Sequence, residues 1–188
     1  MAGVAGCPSP GGRALSGPRS LILVGLPGAG KSAVAPLVAA ELGAPWCDLD
    51  ERIVATAGRS IPAIWAEEGE AGFRLRELAA MHAALAEPPM VIAAGGGWIA
   101  EPGNLLEAES RALILYMSLD PADAARRVAN TGGRPLLEGG NAEAKIRELL
   151  TVREPWYRLA GVEVAVGAVT PFGAAAAIAL AARQHAGW

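Results

Sequence analysis

Gly25-Leu26-Pro27-Gly28-Ala29-Gly30-Lys31-Ser32 fits the pattern G-x-x-x-x-G-K-[ST] in full. It lies between a short apolar run, Leu21–Val24, and a helical stretch, Lys31–Leu42, that Gly43 stops. A strand before and a helix after are the context in which this pattern marks a phosphate-binding loop rather than a Gly-rich turn with a solvated lysine. Glycines let backbone N–H groups turn inward around phosphate oxygens without a Cβ in the way. The helix N-terminus adds partial positive charge. Gly28, Ala29, Gly30, Lys31, Ser32 and Ala33 are therefore candidate nucleotide-binding residues. Lys31 is expected to reach the β- and γ-phosphates, and the Ser32 hydroxyl to ligate Mg²⁺. Pro36 removes one N–H bond inside the helix and is expected to bend its axis. The loop specifies a nucleotide and leaves the second substrate open.

Apolar runs and helical stretches alternate outward from this loop. Ala44–Asp48, Met90–Ala94, Ala112–Leu119 and Val162–Val166 read as further strands. Ser60 is a good N-cap and Pro62 fits the first turn of a helix that runs to about Leu85, with a break near Gly69. Further helices are expected from Asp120 and Pro121 through Val128, over Glu143–Arg153, and over the Ala-rich Gly173–Arg183. Thr131–Asn141 reads as a Gly-rich loop. Alternation of this kind implies right-handed crossovers and a five-stranded parallel sheet flanked by helices, an α/β fold. Ligands of such sheets sit beyond the carboxyl ends of the strands.

The bulk properties narrow the partners. The chain has 188 residues, 52% of them hydrophobic, which suits one domain with a full core. A net charge of −3, with Lys and Arg scattered, gives no support for nucleic acid or an anionic membrane as partner. No apolar run is long enough to span a bilayer. Cys7 and Cys47 are too few for a disulfide framework, and with His82 and His185 they show no metal-ligand spacing. Residues 1–19 are rich in Gly, Pro, Ser and Ala and lack the apolar core of a secretory signal, so they read as a disordered extension. The expected domain is 20–188, cytoplasmic and monomeric.

Several polar residues fall at expected strand ends. In Asp48-Leu49-Asp50, period-two geometry would send both carboxylates to one side of the strand. One can hold Mg²⁺ through water while the other accepts a hydrogen bond from a substrate hydroxyl; a solvated turn shows the same pattern. Gly95-Gly96-Gly97 directly follows a strand and permits close approach of a ligand. Many P-loop proteins carry an acidic Mg²⁺ residue there, so its absence assigns that role to Asp48. Arg74 and Glu77 are i,i+3 neighbours, and Glu77 can orient the guanidinium. Arg134 lies in Gly132-Gly133-Arg134-Pro135-Leu136-Leu137, a loop able to close over phosphates as a lid, with Arg134 stabilising the transferring group. Arg153 opens Arg153-Glu154-Pro155-Trp156-Tyr157 and can pair with a substrate carboxylate.

The set D-x-D, GEAGFR, GGG, RPLL and R-x-P-W-Y, in this order after the P-loop, resembles shikimate kinase from about Leu21 to Val166. The resemblance implies a P-loop kinase with a mobile lid loop at about 128–142 and an acceptor-binding region at about 49–86. It implies that Asp50, Arg74, Gly95, Gly96, Gly97 and Arg153 bind shikimate, the arginines on its carboxylate and Asp50 on its hydroxyls. Ser32 and Asp48 would handle Mg²⁺. Lys31, Asp50 and Arg134 would be the catalytic residues. Arg127 matches the lid-base arginine that stacks on adenine, and Pro171 would lie on the other adenine face. Two departures stand out: Trp156 where leucine is usual, and Trp98 where a small or aliphatic residue is more typical. Either can reshape the pocket edge. The rivals are a kinase of similar build acting on gluconate or a nucleoside monophosphate, and a non-catalytic binding protein. Retention of Lys31, Asp50 and Arg134 argues against the second.

Overall fold

A computed structural model describes residues 17–129 and 141–188. Its strands are β1 (Ser20–Val24), β2 (Trp46–Asp48), β3 (Val91–Ala93), β4 (Ala112–Ser118) and β5 (Val162–Ala165). They form one parallel sheet in the order β2-β3-β1-β4-β5. Strand β1 lies at the centre with every residue buried, as the apolar run Leu21–Val24 requires of a strand covered on both faces. Leu21 pairs with Val91 on one side and Leu113 on the other. This register brings the carboxyl ends of β1 and β3 side by side, so that the P-loop and the triple glycine emerge at the same end of the sheet.

The helices are α1 (Lys31–Leu42), α2 (Leu49–Ala57), α3 (Ile61–Ala86), α4 (Asn104–Glu109), α5 (Pro121–Ala129), α6 (Ala142–Tyr157) and α7 (Pro171–His185), with a 3₁₀ turn at Trp98–Ala100. Helix α1 packs on α7, α2 on α3, and α5 on α6. Most expected helix signals act as read. Gly43 ends α1 in the left-handed region, and Ser60 Oγ accepts from Ala63 N at 3.4 Å. At Gly69, φ is 68° and ψ −172°, so α3 is two helical segments joined at a residue that needs no Cβ. A separate small core of Ile53, Ile64 and Phe73 joins α2 to α3.

Some expectations change. Strand β2 is only Trp46–Asp48, and Leu49–Ala57 forms a helix the sequence reading did not contain. The 3₁₀ turn and α4 were also unread. Helix α6 continues through Pro155 to Tyr157, so the R-x-P-W-Y segment is its last turn rather than a coil after it. Pro155 forfeits one N–H bond; fully buried Tyr157, stacked on Tyr116 with centroids 4.8 Å apart, holds that turn in place. Arg19, read as part of the extension, belongs to the folded body. Its N–H donates to Ala186 O at 2.9 Å, and its own carbonyl accepts from Trp188 Nε1 at 2.7 Å. Residues 1–16, including Cys7, and residues 130–140, including Arg134 and most of the expected lid, lie outside the described residues. Among the described residues no helix is long and apolar enough to cross a membrane.

Candidate functional site

A cavity of about 490 Å³ opens at the carboxyl ends of β1 and β3. Gly28, Ala29, Gly30, Lys31, Ser32 and Ala33 all line it, as the P-loop reading requires. Gly28 has φ 87°, and a Cβ there would lie 2.7 Å from Ala124 O. Only glycine satisfies both the turn and that close approach. Gly30, at φ 90°, is the N-cap of α1 and supplies no side-chain cap, so the positive end of the helix faces the cavity. Lys31 Nζ donates to Gly25 O at 2.9 Å and to Leu26 O at 3.1 Å, so its ammonium group is held across its own loop.

Asp48 and Asp50 both line this cavity, though not by strand alternation. The strand stops at Asp48, which is the N-cap of α2: its Oδ1 accepts from Asp50 N at 2.8 Å and Glu51 N at 3.4 Å. Asp50 stands in the first turn of the helix. Capping fixes the Asp48 carboxylate at the cavity wall and buries it. Ser32 and Asp48 thus offer two oxygen ligands beside a phosphate loop. Mg²⁺ is commonly held by one or two protein oxygens together with substrate phosphates, and this donor set fits that ion. Among the described residues no group of three or more His, Cys, Asp or Glu forms an all-protein metal cage.

Arg74, Gly97 and Arg153 are not in the cavity wall; they gather behind its Gly95–Gly96 edge. Buried Glu77 is the centre of this group. Its Oε2 accepts from Arg74 Nη1 at 2.6 Å, and Asp50 and Arg153 are close enough to act on its charge. Burial pushes the Glu77 carboxyl above the usual carboxylate range, against the pull of Arg74. Gly95 and Gly96 line the cavity, and protein also packs closely on the triple glycine: a Cβ on Gly95 would meet Glu77 Oε1 at 2.0 Å. One on Gly96 would meet Arg153 Nη1 at 3.4 Å, and one on Gly97 Arg74 Nη2 at 2.5 Å. Three glycines therefore let two arginines and their glutamate close on a strand end. Tyr157 completes the cluster by donating to Gly96 O at 2.6 Å; burial pushes its phenol up to about 12, so the hydroxyl keeps its proton.

The far end of the cavity is lined by Arg127, Val166, Val169, Thr170 and Pro171. Arg127 Nη2 donates to Val166 O at 3.0 Å and Gly167 O at 3.2 Å, which ties α5 to the segment after β5. Pro171 begins α7, and Thr170 Oγ1 caps it by accepting from Gly173 N at 3.1 Å. Arg127 and Pro171 thus share one end of the cavity, as the adenine reading needs. Val166 and Val169 carried no sequence signal for this place. The Thr-Pro pair at 170–171 is a legible helix start that would have put the α7 N-terminus there. Trp98 is buried in the core and does not line this cavity; its Nε1 has no hydrogen-bond partner. Trp156 packs partly buried against the same core and is likewise absent from the cavity wall. His82 pairs with Glu107 Oε1 at 2.9 Å on the surface, and Cys47 is buried in β2.

Comparison with known proteins gives a consistent picture. The family model described as shikimate kinase matches residues 27–171. A shikimate kinase of Thiobacillus denitrificans is 42% identical over 146 residues, covering 77% of this chain and 80% of that protein. One from Caulobacter vibrioides is 40% identical over 172 residues, covering 88% and 83%. Among solved structures, a shikimate kinase from Acinetobacter baumannii in complex with shikimate is similar with a TM-score of 0.85 and 32% identity, covering 90% of this chain and 94% of that one. A gluconokinase from Sinorhizobium meliloti, at TM-score 0.57 and 20% identity, shares the fold alone.

Proposed function

The chain belongs to the shikimate kinase family, and from that premise we propose that it transfers the γ-phosphoryl group of ATP to the 3-hydroxyl of shikimate, a step toward chorismate and the aromatic amino acids. The observation that carries this reading is one cavity joining a complete P-loop to Asp50, with two arginines gathered on a buried glutamate behind it. An acceptor rich in hydroxyls with one carboxylate matches that division of polar groups.

The roles follow from position. Backbone N–H groups of Gly28–Ala33 and the α1 N-terminus cradle the phosphates. Lys31 swings from Gly25 O and Leu26 O to the γ-phosphate, where its charge stabilises the transferring group. Asp50 orients the acceptor hydroxyl and takes its proton as the new O–P bond forms and the bond to the β-phosphate oxygen breaks, releasing ADP. Arg74 and Arg153 hold the carboxylate through charge-assisted bonds, with Gly95, Gly96 and Gly97 giving them room. Ser32 and Asp48 would hold Mg²⁺, which when bound would supply neutralisation of the nucleotide's phosphate charge. Arg127 and Pro171 enclose the adenine. Arg134, from a lid at about 128–142, closes on the phosphates. Positioning and charge stabilisation supply most of the catalysis in phosphoryl transfer. The active form is a cytoplasmic monomer of one domain, 19–188 once Arg19 is counted in the folded body, with 49–86 as its acceptor-binding region.

Arg153→Ala tests the acceptor assignment. Loss of one charge-assisted contact, roughly 1.5–3 kcal/mol, should weaken shikimate binding about 10- to 100-fold in a calorimetric titration and leave ATP binding nearly intact. Equal loss of both, or of neither, contradicts the assignment.

A further inference from the structure

Arg74 meets a carboxylate at each of its three nitrogens. Nη1 donates to Glu77 Oε2 at 2.6 Å and Nη2 to Glu70 Oε1 at 3.1 Å, while Nε lies 3.4 Å from Glu101 Oε1. These partners are not equivalent. The Glu77 side chain is 1% exposed, whereas those of Glu70 and Glu101 are 58% and 44% exposed. One face of the guanidinium rests against Gly97. Glu77 therefore holds Arg74 from inside the protein, and the two exposed glutamates sit on the edge that runs from Nη2 to Nε.

A ligand carboxylate gripped in bidentate fashion needs one complete edge of the guanidinium fork. Glu77 occupies Nη1, so the edge open to exchange is Nη2–Nε. That edge is poorly held. Nε is buried and makes no hydrogen bond; Glu101 is near enough for an ion pair but does not meet hydrogen-bond geometry. A buried N–H without an acceptor is costly, so the edge gains when a better-placed carboxylate arrives.

We propose that Glu101, with Glu70, is a displaceable placeholder on Arg74: it balances the guanidinium in the empty site and is exchanged for the acceptor's carboxylate on binding. The proposal rests on the reading of Arg74 as the acceptor's carboxylate grip. It makes Glu101 a specificity-determining residue. A neutral polyol cannot compete with a standing ion pair, whereas an anion that takes both Nη2 and Nε can. Displacement also lowers the affinity for the correct acceptor, because the leaving Glu101 carboxylate and the arriving one repel.

The test is Glu101→Gln, which keeps shape and removes charge at an exposed position. Steady-state ADP release is measured with shikimate varied at saturating ATP, then with ATP varied, each at low and high ionic strength. An exposed ion pair contributes little, so KM for shikimate should fall about two- to fivefold at low salt, with KM for ATP unmoved and kcat changing by less. The difference should shrink at high salt, where exposed charges are screened. An unchanged or higher KM for shikimate in an active Glu101→Gln variant overturns the placeholder and leaves the acceptor reading intact. Absence of shikimate-dependent release in the unaltered chain instead removes the acceptor reading, and this proposal with it.

Discussion

Replacing Gly97 with alanine adds one methyl group against the Arg74 guanidinium and changes little else. Gly97 has φ −93° and ψ −18°, a conformation alanine adopts without strain. The new Cβ would lie 2.5 Å from Nη2, 2.7 Å from Nη1 and 2.8 Å from Cζ. Moving Nη2 from 2.5 Å out to an ordinary contact of 3.4 Å requires a shift of about 0.9 Å. Such a shift breaks the 2.6 Å bond to Glu77 and carries the Nη2–Nε edge away from the position proposed to receive the acceptor's carboxylate. A hydrogen bond to a charged group is worth about 1.5–3 kcal/mol, and about 1.4 kcal/mol is tenfold in rate. The specificity constant kcat/KM for shikimate should therefore fall about 10- to 100-fold. KM for ATP should stay within about twofold, because the P-loop lies on another strand. A thermal melt establishes that the variant folds, and coupled ADP release gives the constants. A folded Gly97→Ala enzyme with kcat/KM for shikimate near that of the parent would refute the claim that Arg74, seated on Gly97, grips the acceptor.

Two further outcomes follow from the buried cluster. Burial raises the Glu77 pKa above its ordinary 4.5, so the native chain keeps that proton to higher pH than the unfolded chain does. Ionisation on raising the pH through the folded pKa then subtracts stability, a loss that Glu77→Gln cannot show; the unfolding free energy of the parent minus that of the variant, from urea titrations between pH 4.5 and neutrality, should fall with pH, and a flat or rising difference refutes the buried-carboxylate reading. Tyr157→Phe removes the hydroxyl that donates to Gly96 O and should cost about 1–2 kcal/mol; an unshifted denaturation midpoint would mean that this bond contributes nothing.

Residues whose chemistry depends on local pattern were legible in the sequence. The P-loop, the five strands, the Gly69 break and the Arg74–Glu77 pair depend on runs, punctuation and i,i+3 spacing, and all stand in the fold. Asp48 was legible and misread. Its carboxylate at the N-cap, followed three residues later by Glu51, is the signature of a helix start, but Asp48-Leu49-Asp50 also fits strand alternation. The local pattern does not choose between them; the pairing of β2 with β3, which stops at Asp48 and Ala93, does. Trp98 and the triple glycine show the other limit. Whether glycines admit a ligand or a neighbouring side chain depends on which helices pack over the strand end. That arrangement is tertiary, and it placed Trp98 in the core and Arg74, Glu77 and Arg153 against the glycines. Glu101 carried no signal at all, because its contact with Arg74 joins the residue that ends the 3₁₀ turn to α3 across a stretch of sequence that no periodicity links.

The most direct test is ADP release with ATP and Mg²⁺ in the presence of shikimate, gluconate, AMP or no acceptor, with Asp50→Asn beside the unaltered chain. Strong release with shikimate alone, lost in Asp50→Asn, is the expected result. Release driven by gluconate or AMP in place of shikimate, or none with any acceptor, would contradict it.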